Sequence, residues 1–217
     1  MRSVFLGPPG AGKGTQARMI AADGTVLHLS TGDLLREEVN AGSALGLKAK
    51  RFMDDGKLVP DELVFEILFA KLGLGKGMAR AFILDGFPRT RAQALELDRR
   101  LAAVGLPLVA VVNFVTSEDA AVARLSSRLV CRNCQAAYNA RTARPARDGI
   151  CDRCGGELYR RHDDDPDVVR VRFQEYRQKS AELVAYYQQS GLLRNVDAEL
   201  PVAEVVRQLR QQVFAKK

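Results

Sequence analysis

The chain has 217 residues and a mass of 23.8 kDa, room for one α/β domain with inserts but not for two full-size enzyme domains. Apolar residues make up 47% and charged residues 27%, which excludes a wholly disordered chain. The net charge of +7 suits a phosphate-rich partner or substrate without naming one. No apolar run approaches the ~18 residues that cross a bilayer. The opening Met1-Arg2-Ser3-Val4-Phe5-Leu6-Gly7 is too short an apolar stretch for a signal peptide. A soluble, cytoplasmic protein with no membrane partner is expected.

Residues 3–6 read as the first strand, followed by a glycine-rich turn and a helix over 13–22. A second strand is expected at 26–29. Residues 30–60 then hold two short helical patterns with little β-branched content. Strands at 81–84 and 109–115 follow, each leading into a helix, at 90–104 and at 117–127 with Ser117 as its cap. A long helical pattern spans about 167–189, a fifth strand 193–196, and a last helix 201–214. The strands are mostly continuous apolar runs, which suits strands covered on both faces. Strands alternating with helices imply a mostly parallel five-stranded sheet with helices on both sides. Residues 128–164 break the rhythm with four cysteines and many arginines, the composition of a small inserted module.

Gly7-Pro8-Pro9-Gly10-Ala11-Gly12-Lys13-Gly14-Thr15 lies between the first strand and its helix, the context a phosphate-binding loop requires. Its glycines let backbone N–H groups curl around phosphate oxygens, the helix start adds positive potential, and Lys13 supplies a point charge. A Gly/Pro turn that happens to precede a lysine is the bland alternative. The general pattern places Ser or Thr directly after the lysine as a magnesium ligand. Here Gly14 stands there and Thr15 follows, so waters are expected in place of a hydroxyl ligand.

Cys131-x2-Cys134 and Cys151-x2-Cys154 are sixteen residues apart, inside the range for a four-thiolate zinc site. With all four ligands from protein such a metal is structural. Two disulfides or an iron–sulfur centre are the alternatives. From Arg128 to Arg161 there are eight arginines, no lysine and three carboxylates (Asp148, Asp152, Glu157). The module stays basic after a four-thiolate zinc is counted, as suits a flap over phosphates.

Lys13-Gly14-Thr15 resembles the loop of adenylate kinases, and further segments agree in order. They are Leu29-Ser30-Thr31-Gly32-Asp33-Leu34-Leu35-Arg36, Gly56-Lys57-Leu58-Val59-Pro60-Asp61-Glu62 and Leu84-Asp85-Gly86-Phe87-Pro88-Arg89-Thr90 with Gln93. Arg124, Arg128, Arg161-His162-Asp163-Asp164 and Arg172 complete the series, and the cysteines place the chain with zinc-bearing, long-lid bacterial members. The resemblance implies a P-loop NTPase-like α/β fold. Its core would be 1–29, 61–127 and 165–217, its nucleoside-monophosphate insert 30–60, and its zinc-ribbon-like lid 128–164.

It also implies ATP + AMP ⇌ 2 ADP, with Mg2+ on ATP and structural Zn2+ in the lid, in a monomer that holds no nucleic acid stably. By the same resemblance Gly10, Ala11, Gly12, Lys13, Gly14, Thr15, Arg128, Ala137 and Tyr138 face ATP. Thr31, Arg36, Lys57, Leu58, Val59, Gly86, Phe87, Pro88, Arg89, Gln93, Arg161 and Arg172 face AMP. Lys13, Arg89, Arg124, Arg128, Arg161 and Arg172 meet the phosphates, and Asp85 orders magnesium through its waters. Asp163 and Asp164 would hold arginines in register. Arg99 and Arg100 are expected at the surface, His28 as a satisfied core residue and His162 in solvent. A kinase for UMP or CMP is the nearest rival, and a zinc-ribbon nucleic-acid-binding ATPase a more distant one. The low aromatic content of 6% speaks against the second.

Overall fold

The apolar run at the amino terminus becomes β1 (Arg2–Leu6), buried from Ser3 onward. The structure, a computed structural model, describes residues 1–54, 59–73 and 81–213. After β1 come α1 (Lys13–Ile20), β2 (Leu27–Ser30), α2 (Thr31–Asn40), α3 (Ala44–Asp54), α4 (Asp61–Leu72), β3 (Phe82–Asp85), α5 (Arg91–Ala103), β4 (Ala110–Val115) and α6 (Glu118–Ser126). Three short strands follow: β5 (Arg128–Cys131), β6 (Ala137–Asn139) and β7 (Leu158–Tyr159). The chain closes with α7 (Pro166–Gln189), β8 (Leu193–Asp197) and α8 (Val202–Val213).

β2, β3, β1, β4 and β8 form one parallel sheet in that order, with helices on both faces. This is the P-loop NTPase-like α/β class expected. The period of two along the central strands divides the core. Val4, Leu84 and Val111 point to one side, packed with Leu68 of α4, Leu97 of α5 and Leu183 of α7. Their neighbours Phe5, Ile83 and Val112 point to the other, against Ala17 of α1 and Leu209 of α8. Covering both faces explains why these strands lack an alternating pattern. The two edge strands differ from that expectation, because Leu27 of β2 and Asn195 of β8 are exposed.

Ser30, Thr90, Ser117 and Asp165 cap α2, α5, α6 and α7 by accepting from backbone N–H groups of the first turn. The helix predicted over 13–22 ends at Ile20 and tightens into a 3-10 turn, Ala21–Asp23. α4 was not singled out by periodicity. Val64, Phe65, Ile67, Leu68, Phe69 and Leu72 are all buried, so its apolar residues form no single stripe. The predicted end of the last helix, Phe214, lies outside the described residues. β6, β5 and β7 make a separate antiparallel sheet.

Candidate active site

Parallel pairing aligns Ser30, Asp85 and Phe5 in register near the carboxyl edge of the sheet. Ligands bind at that edge in open α/β sheets. Residues 7–12 leave β1 there and α1 begins at Lys13. Its N-cap, Gly12, is left-handed at φ 82° and offers no side-chain cap. The first turn therefore keeps its N–H groups for an outside acceptor. Lys13 Nζ donates back to the Gly7 and Pro8 carbonyls, at 2.8 and 2.9 Å. The structure also explains Gly14. A Cβ there would come within 3.2 Å of Asp85 Oδ2, so a side chain in the position after the lysine would crowd that carboxylate.

A cavity of about 430 Å³ opens over this loop. The loop residues Gly10–Thr15 line it together with Asp85, Ala137 and Tyr138. Arg36, Arg124, Arg128, Arg161 and Arg172 reach it from four separate parts of the chain. Most are held along one edge. Arg124 Nη2 donates to the Ala198 carbonyl at 2.7 Å, and Arg172 Nη1 to the Asp163 carbonyl at 2.8 Å. Arg128 is forked onto Asp164, Arg36 pairs with Asp33, and Arg161 donates to Gln135.

The cations feel one another. Burial pushes the Lys13 ammonium below the usual lysine value; Asp85 opposes this, while Arg89, Arg172 and Arg128 add to it. Burial likewise lowers Arg161, helped by Arg36 and Arg128. Arg36 and other cations outweigh burial at Asp33 and hold its carboxyl below the usual range. A cavity built this way favours a ligand with several negative charges.

The remaining residues expected on the AMP side lie beside the cavity rather than on its wall. A Cβ at Gly86 would sit 3.0 Å from Thr31 Oγ1 and 3.7 Å from Arg89 Nη2, so these three are neighbours. Arg89 Nε donates to the Gly86 carbonyl at 2.8 Å. Gln93 is buried, accepting from Arg89 N and donating to Asp61, both at 2.6 Å. The Phe87 ring packs edge-on against Phe65 in the core, and Pro88 and Val59 are buried too. Lys57 and Leu58 lie outside the described residues.

The four cysteine sulfurs lie within 4.8 Å of one another. Cys131 and Cys154 are 3.4 Å apart, Cys134 and Cys151 3.5 Å. Tetrahedral zinc with sulfurs at ~2.3 Å needs separations of about 3.8 Å, so the set fits a zinc ion. Backbone N–H groups of Asn133 and Cys134 turn toward the Cys131 sulfur, and those of Arg153 and Cys154 toward Cys151. A Cβ at Gly156 would lie 3.0 Å from Cys131 Sγ and 2.8 Å from Asn133 Nδ2, so only glycine leaves the sulfur its place. Tyr138 ties this corner to the cavity, its hydroxyl accepting from Asp152 N at 2.8 Å.

A model of the adenylate kinase family matches residues 5–192. The chain belongs to the adenylate kinase family. It is 46% identical over 209 residues to the adenylate kinase of Archaeoglobus fulgidus, covering 96% of each chain. The adenylate kinase of Geobacter sulfurreducens is 45% identical over 209 residues, again 96% of each chain. That of Symbiobacterium thermophilum is 41% identical over 217 residues and the full length of both. Family membership makes the chain a nucleotide phosphotransferase. It favours ATP with AMP, and nothing among these relatives speaks for the UMP/CMP kinase or the nucleic-acid-binding ATPase.

Two expectations need correction. His28 is not a satisfied core residue: its Nε2 is buried without a hydrogen bond, 3.7 Å from Asp85 Oδ2, because β2 lies directly beside β3. Arg100 is not simply solvated. It pairs with Glu96 at 2.5 Å and covers the Phe65 ring at 4.5 Å. His162 is exposed, as expected. Sequence reasoning missed Asn139, Gln135, Ala198 and Leu200 on the cavity wall. For the last two a signal existed, since they follow the carboxyl end of a strand. Among the described residues no helix is long and apolar enough to cross a membrane.

Proposed function

We propose that this cavity holds the two nucleotides of an adenylate kinase and that the chain moves a phosphoryl group from MgATP to AMP, giving two ADP. The observation that carries the proposal is the convergence of Lys13, Arg36, Arg124, Arg128, Arg161 and Arg172 on one cavity over a Gly-rich loop. Phosphoryl transfer needs alignment and charge compensation more than covalent help. No general base is required, because the attacking phosphate of AMP is already largely ionised at neutral pH.

In this reading the N–H groups of residues 10–15 cradle the ATP phosphates, and Lys13 exchanges two loop carbonyls for phosphate oxygens. Ala137 and Tyr138 lie against the base and sugar. AMP occupies the side of Thr31, Arg36, Val59, Gly86, Phe87, Pro88, Arg89, Gln93 and Arg172. Phe87 and Pro88, whose side chains are buried, can offer their backbone. Lys57 and Leu58 join them by resemblance to the family. Arg124, Arg128 and Arg161 meet the transferring phosphates, where the planar guanidinium forks match phosphate oxygens. Magnesium neutralises phosphate charge, and Asp85 orients its waters.

Residues 128–164 act as a zinc-pinned lid, 30–60 as the monophosphate insert, and the rest as the core. Cys131, Cys134, Cys151 and Cys154 hold the metal, which leaves no position open for chemistry. By the family's character we read the chain as a cytoplasmic monomer without nucleic-acid or membrane partners. A coupled assay for ADP tests the reading, with ATP plus AMP run beside ATP alone and beside ATP plus UMP or CMP. ADP formation that depends on AMP is expected. Equal turnover without AMP, or a preference for UMP or CMP, would overturn it.

A further inference from the structure

The two Cys-x2-Cys turns contain an internal comparison. In each, the residue after the second cysteine enters the left-handed region, Gln135 at φ 56° and Gly155 at φ 69°. In each, its N–H donates to the carbonyl of the first cysteine, 3.2 Å from Gln135 to Cys131 and 2.8 Å from Gly155 to Cys151. Glycine adopts this conformation without a Cβ penalty and glutamine does not. Gln135 is the one non-glycine residue with positive φ among the described residues. The first turn thus carries a side chain where the second has none. Such strain gathers where a side chain has a task.

That side chain is anchored at both ends. Gln135 Nε2 donates to the Arg132 carbonyl at 3.2 Å, which fixes the amide against its own turn. Gln135 Oε1 then accepts from Arg161 Nη2 at 3.4 Å. Arg161 is only 17% exposed and sits among cations. The same Nη2 stands 3.9 Å from Asp33 Oδ1 on α2, a carboxylate already paired with Arg36. A neutral acceptor suits this place. It orients the guanidinium yet leaves its full charge for phosphate, whereas a carboxylate on the same arm would compete with phosphate.

We propose that Gln135 is a positioning residue for phosphoryl transfer. It holds the Arg161 guanidinium between the cysteine turn and Asp33, so that the nucleotides meet an arginine already in place. This rests on the assignment of Arg161 to the phosphates. The link joins residues 26 apart in sequence and connects the metal corner to the cavity without using the metal.

The test uses the zinc-loaded full chain and four variants: Gln135→Gly, Gln135→Asn, Arg161→Ala and the double variant Gln135→Gly/Arg161→Ala. Glycine relieves the backbone, and asparagine tolerates it but is one methylene too short to reach. Both single variants at 135 should lower kcat/KM for AMP by roughly three- to tenfold, the weight of one ordinary hydrogen bond, as suits a 3.4 Å contact. Their melting temperatures should stay level or rise. In the Arg161→Ala background the Gln135→Gly change should have no further effect. A purely structural role would move melting and kinetics down together, or persist without Arg161, and either result overturns the inference. Arg161→Ala damaging while both Gln135 variants keep parental kinetics overturns the inference and leaves the active-site assignment standing. Arg161→Ala with parental kinetics overturns the assignment itself, and the inference with it.

Discussion

Arg128 forks onto a carboxylate that has no contact with solvent: its Nε and Nη2 lie 2.8 and 2.5 Å from the two oxygens of Asp164, whose side chain is 0% exposed. The pair joins the two ends of the insert expected over 128–164 and so closes its neck. Removing the arginine leaves a buried charge without its partner, which typically costs about 3–5 kcal/mol. Arg128→Ala should therefore lose both activity and several degrees of melting temperature. Arg172→Ala, whose partner Asp163 is half exposed, should lose activity with little change in melting. Calorimetry beside the ADP assay separates the two; equal melting of both variants would contradict the role given to Asp164.

Lys13→Ala should reduce turnover by roughly 10²-fold or more, since charge at the transferring phosphates is worth several kcal/mol. Melting should change little, because the only hydrogen bonds described for Lys13 Nζ go to two loop carbonyls. Near-parental turnover would remove the phosphate-binding role of the loop.

Arg89→Ala should impair the use of AMP far more than the binding of ATP. The residue stands beside Gly86 and Thr31, away from the loop proposed to face ATP. Arg89→Lys should recover only part of the loss, because an ammonium lacks the fork. Titration of ATP and AMP separately gives the answer; a fall in ATP affinity with unchanged AMP kinetics would contradict the placement.

Cys131→Ser with Cys151→Ser should abolish zinc binding and lower the melting temperature, since the small core around Cys131, Ala136, Cys151 and Leu158 cannot hold the module unaided. The phosphate contacts proposed above come from other residues, so transfer should survive at moderate temperature. Metal content measured with melting decides it: loss of zinc at unchanged melting would refute a structural metal.

Asp98 gives a dependence on pH. Burial raises its pKa above the ordinary 3.8, and the hydrogen bond from Tyr186 offsets this only in part. The folded state therefore favours the protonated acid. Its contribution is present at low pH and is lost as pH rises through the folded value, so at neutral pH the ionised carboxylate is a cost. Asp98→Asn should melt higher than the parent at neutral pH, with the gap closing as pH falls toward about 4. A gap that is constant across that range would show the effect to be one of packing.

Much of the architecture was legible because its signals are local. Strand runs, the cap at Ser117, the Gly7–Thr15 loop and the cysteine spacing each need only a few neighbouring residues. α4 was less legible, since a helix apolar on nearly every face has no stripe to read. For the site, the sequence by itself determined that a Gly-rich loop, a series of arginines and four paired cysteines follow one another in a fixed order along the chain. Only the tertiary structure decided who holds them. Arg128 with Asp164, Gln135 with Arg161, Arg124 with the Ala198 carbonyl and His28 beside Asp85 join residues 26 to 74 positions apart. Those pairings follow from the β2-β3-β1-β4-β8 order and from how the small sheet docks on it, and neither leaves a periodic trace in the chain.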